Sequence, residues 1–194
     1  MANKVEFGVS NMHHAKVTES GGAYTFGNYV ADPGTTNIEW EPSGGQEVFH
    51  ADNGSYYVTY TNNGGTITIE QALLSEQFLI DTGFYERDVN GAIVEVADKQ
   101  PNPLAIAFDV DGDAKARHNV FYYCVPSIPG GSAATTEDTT TPSTSQIELT
   151  YTPIVMDGRK VSKLSLQLDP EHPTAYNDFF NAVYTPVWTE TAQG

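Results

Sequence analysis

Residues 62–83, NNGGTITIEQALLSEQFLIDTG, contain a turn signal, a strand and a helix in that order. Asn and Gly at positions 62–65 are typical of a tight hairpin turn. The five residues that follow alternate, with Ile67 and Ile69 on one face and threonines on the other, which predicts a half-buried strand. The stretch therefore predicts a β-hairpin whose second strand leads directly into a helix.

The helix is the clearest local signal in the chain. Ser75 is a plausible N-cap and Gly83 a plausible C′ residue. Leu74 and Leu79 occupy the N′ and N4 positions of a hydrophobic staple. Because a helix this short is unstable in isolation, we expect it to pack on a sheet.

Alternating and β-branched segments elsewhere predict a mainly β protein. We expect strands at 4–9, 16–19, 38–41, 47–52, 56–61, 85–89, 92–97, 104–109, 118–125, 147–151 and 160–169. Gly, Pro and Asn predict breaks at 42–45, 53–54, 62–65, 90–91 and 111–113, a second short helix is expected over 174–184, and residues 126–145 read as a long loop. The pattern predicts one β-sandwich or barrel-like domain over 1–186, with one flanking short α-helix and a second short C-terminal helix, and an arm over 187–194.

The charge excludes two classes of function. The 194 residues include 9 Lys and Arg against 25 Asp and Glu, a formal net charge of -16. A protein that grips nucleic-acid phosphates or anionic lipid needs a basic surface, so we expect no specific nucleic-acid binding and no membrane contact. The polar start of the chain lacks the apolar stretch of a signal peptide, and a single cysteine fits a reducing compartment, so we expect synthesis in a cytoplasm.

The distribution of charge is more informative than its sum. No Lys or Arg occurs in the 70 residues from 17 to 86, which carry ten acids. Solubility is the simplest explanation of such a surplus. The sharper interpretation is a surface that repels a polyanion or meets a basic partner.

Two candidate metal sites have weak patterns. The segment 109–113, DVDGD, resembles the start of a calcium loop, but Ala114 and Val120 stand where an EF-hand loop needs Gly and Glu. His13 and His14 are adjacent on a predicted strand and so point to opposite faces, which prevents them from chelating one ion together. We expect a solvated turn, no metal and no cofactor.

Candidate catalytic residues are equally weak. Cys124 lies in an apolar strand, about 20 Å along it from His118, so we expect a buried structural thiol. Glu39 and Glu41 could act as paired glycosidase carboxylates, but neighbouring acids on one strand face are more typical of a solvated surface. The chain contains neither a phosphate-binding Gly loop nor a nucleophile elbow, so we expect no catalytic residues and no enzyme.

The order of several blocks carries a family resemblance that covers most of the chain. The blocks are MANKVEFGVSNMHHAKVTE (1–19), FHADNGSYY (49–57), GGTITIEQALLSEQFLIDTGF (64–84), DVNGAIVEVADKQPNPLAIAFDVDG (88–112), SQIELTYTP (145–153), VSKLSLQLD (161–169) and FFNAVYTP (179–186). In this order they resemble the major tail protein of long-tailed, siphovirus-type bacteriophages. No single block is diagnostic; their order and spacing carry the match.

The resemblance implies a fold, an assembly and a location. Members of that family are β-sandwiches flanked by a helix, and six copies form a ring whose inner sheets join around a channel. Rings stack into a tail tube through which DNA passes during ejection, and the family has no catalytic residues to transfer. The implied partners are further copies of the chain and the tape-measure, tail-tip and tail-terminator proteins, in a virion tail assembled in the host bacterial cytoplasm.

Three sets of residues follow as candidate assembly sites. An acidic lumen would let DNA slide without sticking, and we expect it to include Glu39, Glu41 and Glu47. We expect the Gly-rich segment 42–55 to form a loop that reaches an adjacent subunit, through Pro42, Gly44, Gly45, Asp52 and Asn53, with residues 126–145 and the C-terminal arm as weaker candidates. Ring stacking should pair acids with the scarce cations Arg87, Lys115, Arg117, Arg159 and Lys160.

Two other classes of function remain open. Aromatic residues in a β-rich chain also fit a carbohydrate-binding or adhesin-type module, which exposed coplanar Tyr or Trp rings would support. A β-sandwich hydrolase would need two acids that face each other across a cleft.

Overall fold

A computed structural model describes residues 8–51, 54–111, 116–130 and 144–188, and the side chains of these residues except for 46–59. Within these ranges the protein is mainly β, as predicted, with two short helices. The strands are β1 Val9–Ser20, β2 Ala23–Phe26, β3 Val30–Ala31, β4 Thr35–Ala51, β5 Gly54–Gln71, β6 Tyr85–Arg87, β7 Ile93–Glu95, β8 Leu104–Val110, β9 His118–Pro126, β10 Ser145–Tyr151, β11 Ile154–Met156, β12 Arg159–Val161 and β13 Lys163–Leu166. The helices are α1 Glu76–Asp81 and α2 Pro173–Asn177.

Nine of these strands form one antiparallel sheet, and seven of the nine follow the order β2-β1-β8-β9-β10-β5-β4. The other two lie off this path, β3 beside β1 and β13 beside β9. The sheet branches at β9, because β13 pairs with the start of that strand and β10 with its end. β6 with β7, and β11 with β12, form separate two-stranded hairpins.

The sheet curls around an inner core. Strands from both ends of the sheet order contribute to this core, which includes Met12 from β1 and Ile38 from β4. Thr35 Oγ1 donates to Met12 Sδ at 3.2 Å, which brings β4 back to β1. Phe78 of helix α1 packs on the same core, together with Leu74, which precedes the helix. The curled sheet agrees with the predicted barrel-like architecture.

The opposite face of β8 and β9 carries a second, outer core. Ala107, Val120 and Tyr122 pack there against Ile154 and Phe179 from the C-terminal third of the chain. The Tyr122 hydroxyl donates to the carbonyl oxygen of residue 184 at 2.8 Å. Because both faces are covered, residues 104–108 of β8 are all buried.

Two predicted breaks in the strands are wrong. We expected residues 42–45 to interrupt a strand and residues 62–65 to form a hairpin turn, but β4 and β5 run through both segments and pair with each other. The two segments lie opposite one another, with a register shift between Pro42 and Gly44. Gly64 has a positive φ of 97°. A bulge absorbs such Gly-rich residues inside a ladder, so the turn signal did not produce a turn.

Helix α1 forms as predicted. The Ser75 hydroxyl accepts a hydrogen bond from the Phe78 N–H at 3.0 Å, and Gly83 follows the helix with a φ of 92°. The 85–97 hairpin also forms, but its strands are shorter and five residues connect them, because the Asp88 carboxylate accepts hydrogen bonds from the N–H groups of Asn90 and Ala92.

The C-terminal elements are shorter than predicted. The 160–169 strand is divided into β12 and β13 at Ser162, and Leu168 lies beyond β13 with 51 % of its surface exposed. The second helix ends at Asn177 rather than near 184, because aromatic packing of Phe179 and Phe180, rather than helical hydrogen bonds, holds the chain that follows. The predicted features at 1–7, 52–53, 112–115, 131–143 and 189–194 lie outside the described residues.

A candidate assembly surface

An acidic surface covers the outward side of β4, β5 and β10. Thr68 of β5 lies between Glu39 of β4 and Glu148 of β10 in one cross-strand row. Glu41 and Glu70 occupy neighbouring rows of the same side, while the alternate residues of these strands point into the inner core. We call Glu39, Glu41, Glu70 and Glu148 the acidic face.

No cation of this chain lies on these three strands, since residues 17–86 and 118–158 contain no Lys or Arg. Adjacent strands are separated by about 4.8 Å, so Glu39 and Glu148, two strands apart, lie about 10 Å from each other. That distance is close to the Debye length at physiological salt, so the carboxylates act together on an approaching ion. Four carboxylates and no Lys or Arg on these three strands give the surface a negative charge, which disfavours the approach of a polyanion.

β4 is the last strand of the sheet order, and no described strand pairs with its outer edge. An unpaired edge presents a row of N–H and C=O groups to any second strand that approaches it. The acidic face thus ends at an edge that can continue into another sheet.

Beyond the acidic face, β4 and β5 project as a two-stranded arm. The last residue of β5 paired with β10 is Gly65, opposite Tyr151, and from Asn62 back to Gly54 β5 pairs only with β4. We call residues 44–51 and 54–62 the arm; its eight to nine residues per strand extend it by about 26 Å. The segment expected to be a loop is therefore a paired hairpin over its described part.

The base of the arm accepts only glycine at several positions. A Cβ on Gly65 would lie 2.0 Å from the carbonyl oxygen of Glu41, and one on Gly44 would lie 2.4 Å from that of Thr61. A Cβ on Gly64 would lie 1.9 Å from the carbonyl oxygen of Tyr151. The glycines thus permit close backbone contacts, which fix how the arm leaves the sheet.

The remaining residues of the predicted acidic lumen and loop are only partly described. Glu47 lies in β4 opposite Thr59, but its side chain is outside the described part. Pro42, Gly44 and Gly45 lie at the base of the arm. Asp52 and Asn53 fall outside the described residues.

The predicted interface cations occupy different environments. Arg87 forms an ion pair with Glu76 at 2.7 Å within the subunit. The Arg159 guanidinium lies 4.8 Å from the centre of the Trp188 ring, and Lys160 is exposed on β12. Arg117 is half-buried just before β9, and the position of Lys115 is not described.

The structure places a buried charged cluster where sequence analysis found only an unsuitable histidine pair. His14 is fully buried, and its two ring nitrogens face Asp32 and Asp81, with 3.0 Å from Nε2 to the latter. Lys16 Nζ lies 2.7 Å from Asp81 Oδ1. Ser75 Oγ donates to Asp32 Oδ1 at 3.0 Å. The cluster joins β1, the segment after β3 and helix α1.

The protonation of this cluster follows from its contacts. Burial by itself lowers the pKa of His14, but the hydrogen bonds and charges of Asp32 and Asp81 outweigh it and hold the pKa above its ordinary 6.5. Burial by itself raises the pKa of Asp81, but Lys16, His14 and Gln77 hold it below its ordinary 3.8. Imidazolium donates from both nitrogens, so one charged His14 satisfies two carboxylates. No local sequence pattern could have predicted this cluster, because its members are up to 67 residues apart.

The structure also places the remaining candidates for metal binding and catalysis. His13 and His14 point to opposite sides of β1, as predicted, because His13 packs on Phe180 and His14 on Phe78. Cys124 is buried, and burial raises the pKa of its thiol. In the described part of the chain, no group of three or more His, Cys, Asp or Glu side chains is arranged to hold a metal ion. No helix there is long and apolar enough to cross a bilayer.

The structure also places the aromatic and acidic residues on which the carbohydrate-binding and hydrolase alternatives depend. Trp40 packs on Phe108 and Phe121 and keeps 38 % of its surface exposed, while Tyr60 on the arm is 75 % exposed. Glu39 and Glu41 are two residues apart on one side of β4, so they lie side by side rather than across a cleft.

Comparisons with known proteins add one coarse likeness. No protein-family profile matches the chain, and no curated protein matches it. Among solved structures, a cryo-EM structure of an extracellular contractile injection system, described as a PVC sheath-tube complex in the extended state, is similar with a TM-score of 0.46. The match has 10 % sequence identity and covers 86 % of this chain and 95 % of that chain. A likeness at this level assigns no function to this chain.

Proposed function

We propose that this protein is a structural subunit that forms hexameric rings, and that the rings stack into the tail tube of a phage-type particle. The observation that carries the proposal is the acidic face, which lies on three neighbouring strands and ends at the open edge of β4. The order of sequence blocks, which resembles that of phage major tail proteins, supports the same role.

The chemistry of the acidic face suits a channel wall. In the proposed ring, backbone groups on the β4 edge pair with a strand of the next copy, so that the acidic faces join into one inner surface. Six copies would place about 24 carboxylates from this face on each ring. DNA phosphates gain affinity from cations and from counterion release, and a carboxylate wall offers neither. DNA would then pass without binding.

The arm suits contact between subunits. Over residues 44–51 and 54–62 its two strands pair only with each other among the described strands. A two-stranded hairpin without a packed face is marginally stable alone, so burial against a neighbouring copy would stabilise it. In the proposed assembly, contact with a neighbouring copy therefore stabilises the arm.

The wider role extends the same proposal. The proposed partners are other copies of this chain and the tape-measure, tail-tip and tail-terminator proteins, and the proposed location is a virion tail assembled in the host cytoplasm. The role requires no catalysis and no cofactor.

Negative-stain electron microscopy of the purified chain over a concentration and salt series tests this function. We expect hollow tubes or six-fold rings, and more of them at higher salt, because salt screens the repulsion between acidic subunits. Persistent single particles at every concentration and salt, with no binding of a tail-tip complex, would contradict the proposal. A glycan array on the same sample would test the carbohydrate-binding alternative.

A further inference from the structure

Among the described cations, three form ion pairs within the subunit and three others, close together in sequence, form none. Lys16, Arg87 and Lys99 each pair with a carboxylate of their own subunit. Arg159, Lys160 and Lys163 lie within five residues of each other, and none of them has a carboxylate within ion-pair distance among the described residues. Cations without a carboxylate partner in the described part of the chain can pair with acids of a second subunit.

Arg159 and Lys160 lie beside exposed apolar side chains. Val155 pairs across the β11–β12 hairpin with Lys160 and is 52 % exposed. The Arg159 guanidinium covers the Trp188 ring, and the adjoining Val187 is 82 % exposed. We call these five residues the basic patch. Cations with exposed aromatic and aliphatic groups form a surface that suits an acidic partner with an apolar tip.

The hairpin of β6 and β7 has the complementary composition. At its tip Val89 is 100 % exposed, and Val94 on β7 is 45 % exposed. Asp88, Glu95 and Asp98 are exposed around them, and no Lys or Arg lies between Arg87 and Lys99. We call residues 88–98 the acidic hairpin. Its tip is rigid, because Asp88 accepts hydrogen bonds from Asn90 N and Ala92 N at 2.8 and 2.7 Å.

These two surfaces adjoin different cores. The acidic hairpin follows α1, whose Phe78 packs on the inner core. The basic patch adjoins the outer core, where Ile154 packs on the other face of β8 and β9. No ion pair among the described residues joins the two surfaces within one subunit. Between successive copies of the chain they can meet, and such a head-to-tail contact repeats indefinitely or closes into a ring.

We propose that the basic patch binds the acidic hairpin of a second copy of this chain. Arg159 and Lys160 pair there with Glu95 and Asp98, and Val89 packs against the apolar groups beside Trp188. The inference deepens the proposed tube function, because it supplies a contact through which copies associate. It does not use the acidic face or the arm.

Charge reversal on each surface tests the contact. One variant carries Arg159→Glu and Lys160→Glu, and the other carries Glu95→Lys and Asp98→Lys. Each variant alone presents like charges at the contact, so we expect sedimentation velocity to show assembly only at concentrations at least about tenfold above those of the wild type. An equimolar mixture restores opposite charges at both kinds of contact, so we expect it to assemble as the wild type does.

A matched control separates the contact from net charge. Glu19→Lys with Glu171→Lys changes the charge as much as the acidic-hairpin variant does but touches neither surface, and we expect it to assemble at least as readily as the wild type. Circular dichroism melting checks that every variant is folded. Assembly of each reversed variant alone at wild-type concentrations, or failure of the mixture to assemble, would overturn the inference.

The outcome also separates this contact from the tube function. Six-fold rings or tubes formed by both reversed variants alone would overturn the contact and support the tube. Co-assembly of the mixture into linear chains without rings would support the contact and contradict the tube. A wild-type protein that remains monomeric throughout would contradict both.

Discussion

His14 and Glu39 lie on strands of the same sheet, but their charges have opposite surroundings. His14 is fully buried and contacts two carboxylates, one of which also binds Lys16. Glu39 is exposed on a surface of four acids with no cation on its strands. Removing one member of a buried charge pair leaves the other uncompensated and destabilises the subunit, whereas unopposed charges on the surface act on what approaches it. The comparison predicts that substitutions at the first site change folding and that substitutions near the second change assembly.

The largest expected effect is the loss of assembly on removal of the arm. Replacing residues 46–60 by Asn-Gly joins the paired residues Gly45 and Thr61 through a favoured two-residue turn. The backbone of that segment pairs only within the hairpin of β4 and β5. We therefore expect an unchanged melting temperature but no rings or tubes in electron micrographs. Tubes from this variant would show that the arm is dispensable.

Removal of the buried histidine should cause the largest loss of folding stability. His14→Ala leaves Asp32 and Asp81 facing each other without the imidazolium, and we expect the free energy of unfolding to fall by about 3–5 kcal/mol. Urea denaturation measures it. His172→Ala is the matched control, because His172 is 76 % exposed beside Asp169 and should change stability by less than about 0.5 kcal/mol. Equal effects of the two substitutions would contradict the structural role of the cluster.

The base of the arm should tolerate a methyl group poorly. Gly65→Ala places a Cβ against the Glu41 carbonyl oxygen, so we expect a loss of about 1–3 kcal/mol in the free energy of unfolding. Gly130→Ala is the control, since a Cβ there meets nothing within 4 Å. Thermal denaturation compares the two variants. Equal melting temperatures would show that the base of the arm relaxes to accommodate the methyl group.

The cluster should also make stability depend on pH. The pKa of His14 is raised above 6.5 in the folded state, so its contribution is complete below pH 6.5 and is lost as the pH rises through the raised value. The pKa of Asp81 is lowered, so its contribution is present above pH 3.8 and is lost as the pH falls through the lowered value. We expect a maximum between these limits, with a decline above pH 6.5 of up to about 1.4 kcal/mol per pH unit.

Urea denaturation at several pH values measures this dependence. His14→Gln keeps a side chain of similar length that can donate a hydrogen bond but does not titrate, so the decline above pH 6.5 should be absent from it. The same slope in both proteins would assign the pH dependence to other groups.

The smallest expected effect is on the acidic face. Glu39→Gln with Glu148→Gln removes two like charges about 10 Å apart, so the lone subunit should gain less than about 0.5 kcal/mol, and less still in high salt. Glu19→Gln, on β1 and away from the face, is the control. Unfolding curves in low and high salt measure the difference. A loss of stability in the double variant would contradict a surface on which the carboxylates only repel.

Local signals in the sequence predicted elements well where no distant partner competed. Ser75 and Gly83 bracket α1 because capping involves hydrogen bonds within a few residues. The alternation around Ile67 and Ile69 fixed which side of β5 is buried, since strand side chains alternate wherever the strand pairs. The same alternation placed Glu39 and Glu41 on the outward side of β4.

Local signals failed where pairing with a distant strand overrode the local preference of the same residues. The Asn-Asn-Gly-Gly segment at 62–65 has the composition of a turn, yet its backbone lies against residues 41–44 and Tyr151 as a bulge. The length of the arm follows from that pairing. Glu70 and Glu148, 78 positions apart, join the acidic face only because β5 and β10 are neighbours.

By itself, the sequence determined a mainly β chain, a capped helix after residue 75, and a stretch from 17 to 86 that carries ten acids and no Lys or Arg. These depend on composition and on contacts within a few positions, which a linear pattern records. Only the tertiary structure decided that the two Gly-rich segments pair, that four acids share one face, and that His14 lies between Asp32 and Asp81. Those outcomes depend on which strands become neighbours, and the packing of two cores on one sheet selects that order from many that the same pattern permits.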